Sequence, residues 1–162
     1  MKIKSLLVLL TLGMSACTGS KYAGVPKQYQ ELISQTMQTA GSNAKELKKA
    51  LKQTPTTQRE GMAFLISYMP ERDAKALTAD FLLENVDYAY KARAEFPWAK
   101  EVPNDIFLND VVAYVNLNEK RENWRKDFYE RFKKYVANCK TMREAIDSVN
   151  KNVRDELLVD YN

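Results

Sequence analysis

The chain has 162 residues, 45% of them hydrophobic and 10% aromatic, a length and composition that suit one domain with a core of its own. Its formal charge is +4, too small to mark a nucleic-acid binder by bulk charge. No histidine occurs anywhere in the sequence, which removes the commonest general base.

Lys2 and Lys4 precede the apolar run "SLLVLLTLGM", which stops at "MSAC", Met14 to Cys17. A basic start, a short apolar stretch and small residues at its end make residues 1–16 a signal peptide, too short to span a membrane. The cleavage region resembles a bacterial lipobox, with apolar Met14 and small Ser15 and Ala16 ahead of a cysteine. That resemblance implies processing before Cys17, thioether lipidation of its sulfur and a place in the bacterial cell envelope, periplasm-facing or surface-exposed, with the membrane as partner. An ordinary secretory signal followed by an incidental cysteine is the alternative. Removing residues 1–16 takes away two lysines and no acid, so the balance falls from +4 to +2, and a nearly neutral exported chain again argues against nucleic acid. With Cys17 carrying lipid, Cys139 is the one remaining thiol and no internal disulfide is available.

Residues 17–26 are polar and glycine-bearing, a lipidated tether rather than a packed element. The helical domain is expected over 27–162. Tyr29, Leu32, Ile33, Thr36, Met37 and Ala40 follow helical spacing up to Gly41. A second helix is expected from about Ser42 to Gln53, apolar through Ala44, Leu47, Ala50 and Leu51 and basic through Lys45, Lys48, Lys49 and Lys52. The lysine face reads either as a solvated surface or as a patch attracted to anionic lipid headgroups beside the anchor.

After Pro55, Thr57 and Glu60 have the spacing of a capping box that opens "GMAFLISYM", a stretch apolar nearly all round and therefore expected to be central. Pro70 closes it, and "ERDAKALT" reads as a polar turn. Thr78 or Asp80 then starts a helix to about Ala94 that turns Phe81, Leu82, Val86, Ala89 and Tyr90 to the core, ending before Phe96-Pro97. Pro103 fits a helical first turn, and the stripe Phe107, Val111, Tyr114 and Val115 predicts a helix running onto Asn118. From Trp124 the next helix is expected to bury Phe128, Tyr129, Phe132, Tyr135 and Val136. The last opens with a capping box at Thr141 and Glu144 and is expected to bury Ala145, Ile146, Val149, Val153 and Leu157. With no extended alternating pattern, glycine-rich loop or repeat, the fold class is all α, with about seven helices in a bundle-like domain.

The residues that raise a chemical question are Asn118, Glu119, Trp124 and Arg125, which fall where two apolar stripes end and meet. A buried arginine needs a carboxylate or carbonyl partner, because an uncompensated buried charge costs several kcal/mol. Glu119, or Glu84 and Asp110 from neighbouring helices, can supply one, and Asn85 on the flank of the Phe81–Ala89 stripe can join the network. The expected role is a structural polar corner, with ligand binding as the alternative. Cys139 ends an apolar stripe, with Lys140 the sole adjacent cation, which is the setting of a small buried hydrophobe and not of an activated thiolate. The pairs Asp127 with Glu130 and Asp155 with Glu156 lack metal-ligand spacing. No catalytic residue, metal site or cofactor is read from the sequence.

The stretch "LLENVDYAYKARAEFPWAKEVPNDIFLNDVVAYVNLNEKRENWRKDFYERF", Leu82 to Phe132, resembles the helical region that precedes the catalytic core in exported transglutaminase-like lipoproteins of Bacteroidetes-type bacteria. It shares "ENV" at Glu84–Val86, Pro103 with "IFLNDVV" at Ile106–Val112, "LNE" at Leu117–Glu119 and "WR" at Trp124–Arg125, and "EAIDSVNKNV" at Glu144–Val153 is similar to the family's last helix before the core. The resemblance covers residues 70–162. It implies a papain-like core, with a Cys, His and Asp arrangement, downstream in the same polypeptide, and this chain carries none of that arrangement. A complete lipoprotein whose helical domain binds a protein or peptide partner is the other reading.

Overall fold

The computed structural model describes residues 22–115 and 119–157, which form helices and turns with no strand among them. Cys17 and Asn118 lie outside the described residues. α1 spans Lys27–Ala40 and buries Tyr29, Ile33, Thr36, Met37 and Ala40. It stops at Gly41, whose φ of +57° suits a residue without a Cβ. α2, Ala44–Gln53, buries Leu47, Ala50 and Leu51.

α3, Arg59–Ser67, is central, with Gly61, Met62, Ala63, Leu65, Ile66 and Ser67 buried. The capping box expected at its start does not form. Thr56–Gln58 is a 3-10 turn, no side chain caps the helix, and Glu60 instead accepts from Asn104 Nδ2 at 3.3 Å. The segment read as a polar turn contains a single helical turn, α4, Glu71–Ala74, with Asp73 and Ala74 inside the protein. α5, Ala79–Glu95, is capped twice: Phe81 N donates to Thr78 Oγ1 at 3.2 Å, and Ala79 N donates to Glu46 Oε2 of α2 at 3.0 Å.

A 3-10 turn, Pro97–Glu101, leads to α6, Asn104–Ile106, which passes directly into a π-helical turn, Phe107–Val111. α7, Trp124–Val136, and α8, Met142–Leu157, complete the described fold. Thr141 caps α8 as expected, with Glu144 N donating to its Oγ1 at 3.2 Å, while the Glu144 carboxylate reaches one residue past the cap and accepts from Lys140 N at 2.7 Å.

Two apolar clusters share α5. The larger gathers α1 to α5 and the π turn around Ile33, Leu47, Met62, Ile66, Leu82, Val86, Phe107 and Val112. The smaller joins Phe96 and Ala99 to Tyr129, Val136 and Ala145, with Tyr88 and Ala92 of α5 packed against it. α7 and α8 therefore bury less than their apolar stripes allow. Tyr129 and Val136 are buried, but Phe132, Tyr135, Val149, Val153 and Leu157 are half-buried, and Phe128 and Ile146 are exposed, at 38% and 52%.

Candidate functional site: a polar corner and the cleft beside it

The helix that begins at Asn104 stops at Val112, short of the expected Asn118, and the way it stops builds the corner. Val112 N donates to Phe107 O at 2.8 Å, the widened spacing of a π turn. A helix end leaves carbonyls without backbone donors. From the C-cap Val112 onward, three consecutive carbonyls are taken by side chains: Val112 O accepts from Asn85 Nδ2 at 2.7 Å, Ala113 O from Arg125 Nη2 at 2.7 Å and Tyr114 O from Trp124 Nε1 at 3.2 Å. Arg125 Nε also donates to Asn85 Oδ1 at 2.9 Å. Asn85, Trp124 and Arg125 thus form one connected cap, and the positive guanidinium stands at the negative end of the helix.

The partner of Arg125 differs from the carboxylates considered from the sequence. Its hydrogen bonds go to neutral oxygens of Asn85 and Ala113, while Glu84 faces Lys126 at 4.0 Å and Glu119 is exposed. Burial without a carboxylate at hand holds the guanidinium down to about 10. The Glu119 carbonyl accepts from a different arginine, Arg121 Nη1, at 2.5 Å.

Arg121 belongs to a second cluster that sequence reasoning missed. Asp73, only 2% exposed, accepts from Arg121 Nε at 3.0 and 3.1 Å and from Arg121 Nη2 at 2.8 Å, and its Oδ2 accepts from Tyr114 OH at 3.0 Å. Burial, and then the Asp73 carboxylate, push the Tyr114 hydroxyl well above its ordinary range, while the Asp73 bond raises Arg121. Tyr114 ties the two clusters together, since its carbonyl is capped by Trp124 and its hydroxyl by Asp73. A proline followed by an acidic-basic run is all the sequence offers at Asp73, and its partners lie 41 and 48 residues away.

Beside this brace runs an open cleft of about 570 Å³, walled by Phe64, Tyr68, Met69, Tyr114, Val115 and Arg121. Its one lining charge is already neutralised by Asp73. Cys139 is half-buried in the smaller core, with Sγ 3.7 Å from Tyr135 O, and no base adjoins it among the described residues. Asp127 pairs with Arg131 at 3.0 Å, Glu130 with Lys133, and Glu156 with Lys134 and Tyr135. The arrangement supports binding and bracing. Among the described residues no nucleophile is activated by a neighbouring base.

On the outer side of α7 the rings of Trp124, Phe128, Phe132 and Tyr135 form a continuous ladder, with successive centroids 5.5, 5.7 and 6.3 Å apart. Compared with known protein families, with curated proteins and with solved structures, the chain matches none.

Proposed function

We propose that this chain is the N-terminal helical module of a lipid-anchored, transglutaminase-like protein of the bacterial cell envelope, non-catalytic by itself and supporting a Cys-His-Asp core carried elsewhere in the polypeptide. The observation that carries the reading is the aromatic ladder on α7. Its rings line up at helical spacing, Trp124 and Phe128 exposed and Phe132 and Tyr135 half-buried, while the polar groups at the same helix's start are engaged in the brace. An apolar face of this kind, on a rigidly held helix, suits a following domain packed against it. The end of α8 is held beside it: Arg131 Nη1 donates to Glu156 O at 2.9 Å and Tyr135 OH to Glu156 Oε1 at 2.6 Å.

The test is to read the DNA downstream of Asn162. An in-frame continuation encoding a Cys, then a His, then an Asp supports the module; an immediate stop refutes it. In that event the cleft lined by Phe64, Tyr68 and Met69, with Tyr68 61% exposed, favours the second reading, a complete envelope lipoprotein that holds a peptide or protein partner.

A further inference from the structure

The start of the described chain carries a site of its own, separate from the corner and the ladder. A hollow of about 240 Å³ is lined by Tyr22, Val25, Lys48, Leu51, Lys52 and Arg59, together with Ala23. Three cations surround it and no carboxylate lines it. Lys49, one residue from Lys48, is neutralised by Asp80 at 2.9 Å, whereas Lys48 and Lys52, one turn apart, have no ion pair among the described residues.

Arg59 is fixed in place by two carbonyls. Its Nη1 donates to Ala23 O and its Nη2 to Thr54 O, both at 3.0 Å, and its buried Nε has no hydrogen-bond partner among the described residues. The turn that closes on it requires glycine, because Gly24 has a φ of +72° and a Cβ there would lie 2.6 Å from Arg59 Nη1. The floor of the hollow is apolar, through Val25 and Leu51. A preformed basic rim over an apolar floor matches a phosphate attached to a greasy body.

Cys17 is five residues before Tyr22. Even fully extended, that tether reaches only about 18 Å. We propose that the hollow seats the phosphate of an anionic phospholipid in the membrane that holds Cys17, pressing α2 onto the lipid surface and giving the anchored domain one orientation. The inference rests on reading Cys17 as the lipid anchor, and the experiment separates the two.

Residues 17–162 carrying Cys17→Ser, the mature chain freed of its apolar leader and unable to be lipidated, are sedimented with vesicles of phosphatidylcholine alone or with phosphatidylglycerol added. Binding should require phosphatidylglycerol, and Lys48→Gln with Lys52→Gln should weaken it roughly 30-fold, about fivefold for each lysine near a charged surface. Lys100→Gln with Lys151→Gln removes the same charge from exposed positions elsewhere and should change binding less than about twofold. Equal weakening by both pairs would reduce the effect to bulk charge and overturn the site. Inorganic phosphate binding that needs Lys48 and Lys52, beside vesicle binding that does not, would assign the hollow to free anions and overturn the lipid. Palmitate labelling scores the anchor independently. An unlabelled Cys17 beside vesicle binding that depends on Lys48 and Lys52 refutes the anchor and supports the site. A labelled Cys17 with indifferent lysines does the reverse.

Discussion

Arg125 is the residue on which the corner turns, and its partners predict how it responds to substitution. Arg125→Met leaves Asn85 Oδ1 and Ala113 O without their donor, which should lower stability by about 1–3 kcal/mol even though a buried charge is removed. Because Asn85 is the direct partner, Asn85→Ala and Arg125→Met should be less than additive in denaturant melts; full additivity with small single effects would return the corner to the list of binding surfaces. Asp73→Asn should cost about 2–5 kcal/mol, since it removes the charge that a bidentate arginine and a buried hydroxyl both address. The pH dependence follows from the same groups. The Tyr114 proton is held more tightly in the folded chain than in the unfolded one, so its contribution is full below about pH 10 and lost as pH rises through the elevated folded value. Arg125 acts in the opposite sense: burial weakens its hold on the proton, and the cost is relieved above about 10. Tyr90 and Tyr129 are raised as Tyr114 is, so stability should fall at alkaline pH, and Tyr114→Phe should make that fall shallower. Sequence reasoning could find Asn85, Trp124 and Arg125, because each ends or flanks an apolar stripe. It could not find Asp73, because nothing local distinguishes a buried carboxylate from a solvated one.

At the scale of elements, α7 separates what periodicity can tell from what packing decides. Its aromatic residues Trp124, Phe128, Tyr129, Phe132 and Tyr135 fall on one broad face of the helix, and pattern alone makes that whole face core. Only the Tyr129–Val136 line meets the smaller cluster; Tyr129 stacks at its edge on Tyr88 of α5, with centroids 5.3 Å apart, while Phe128 looks outward. Tyr129→Ala should therefore cost about 3 kcal/mol or more and Phe128→Ala about 1 kcal/mol or less. A Phe128 substitution as damaging as the Tyr129 one would mean that α7 is rotated from the orientation described. The π turn illustrates the same division. The stripe from Phe107 to Val115 has helical spacing throughout, yet the helix ends at Val112, where side chains 27, 12 and 10 residues away take the carbonyls of Val112, Ala113 and Tyr114. The longer helices were legible in local pattern, although the single turn α4 was not. Ends marked by Gly41, Pro97 and the caps of Thr78 and Thr141 were legible too, but the cap expected at Thr57 does not form, and the end at Val112 depends on tertiary partners.

For the whole molecule, the all-α fold follows from apolar spacing in the longer segments, and the described fold has α5 threading two cores. No helix among the described residues is long and apolar enough to cross a membrane. With no histidine in the sequence, the 162-residue chain should give no thiol-dependent amidase, peptidase or transamidase turnover, and turnover abolished by Cys139→Ser would overturn the packing assigned to that thiol. The central claim is that these helices support a catalytic core belonging to the same polypeptide. It is tested most directly by the intact mass of the mature protein, captured from the membranes of cells that make it with an antibody against the helical domain. The account predicts one lipidated polypeptide much heavier than residues 17–162, with the additional mass following α8. A captured species matching residues 17–162 plus lipid would contradict it.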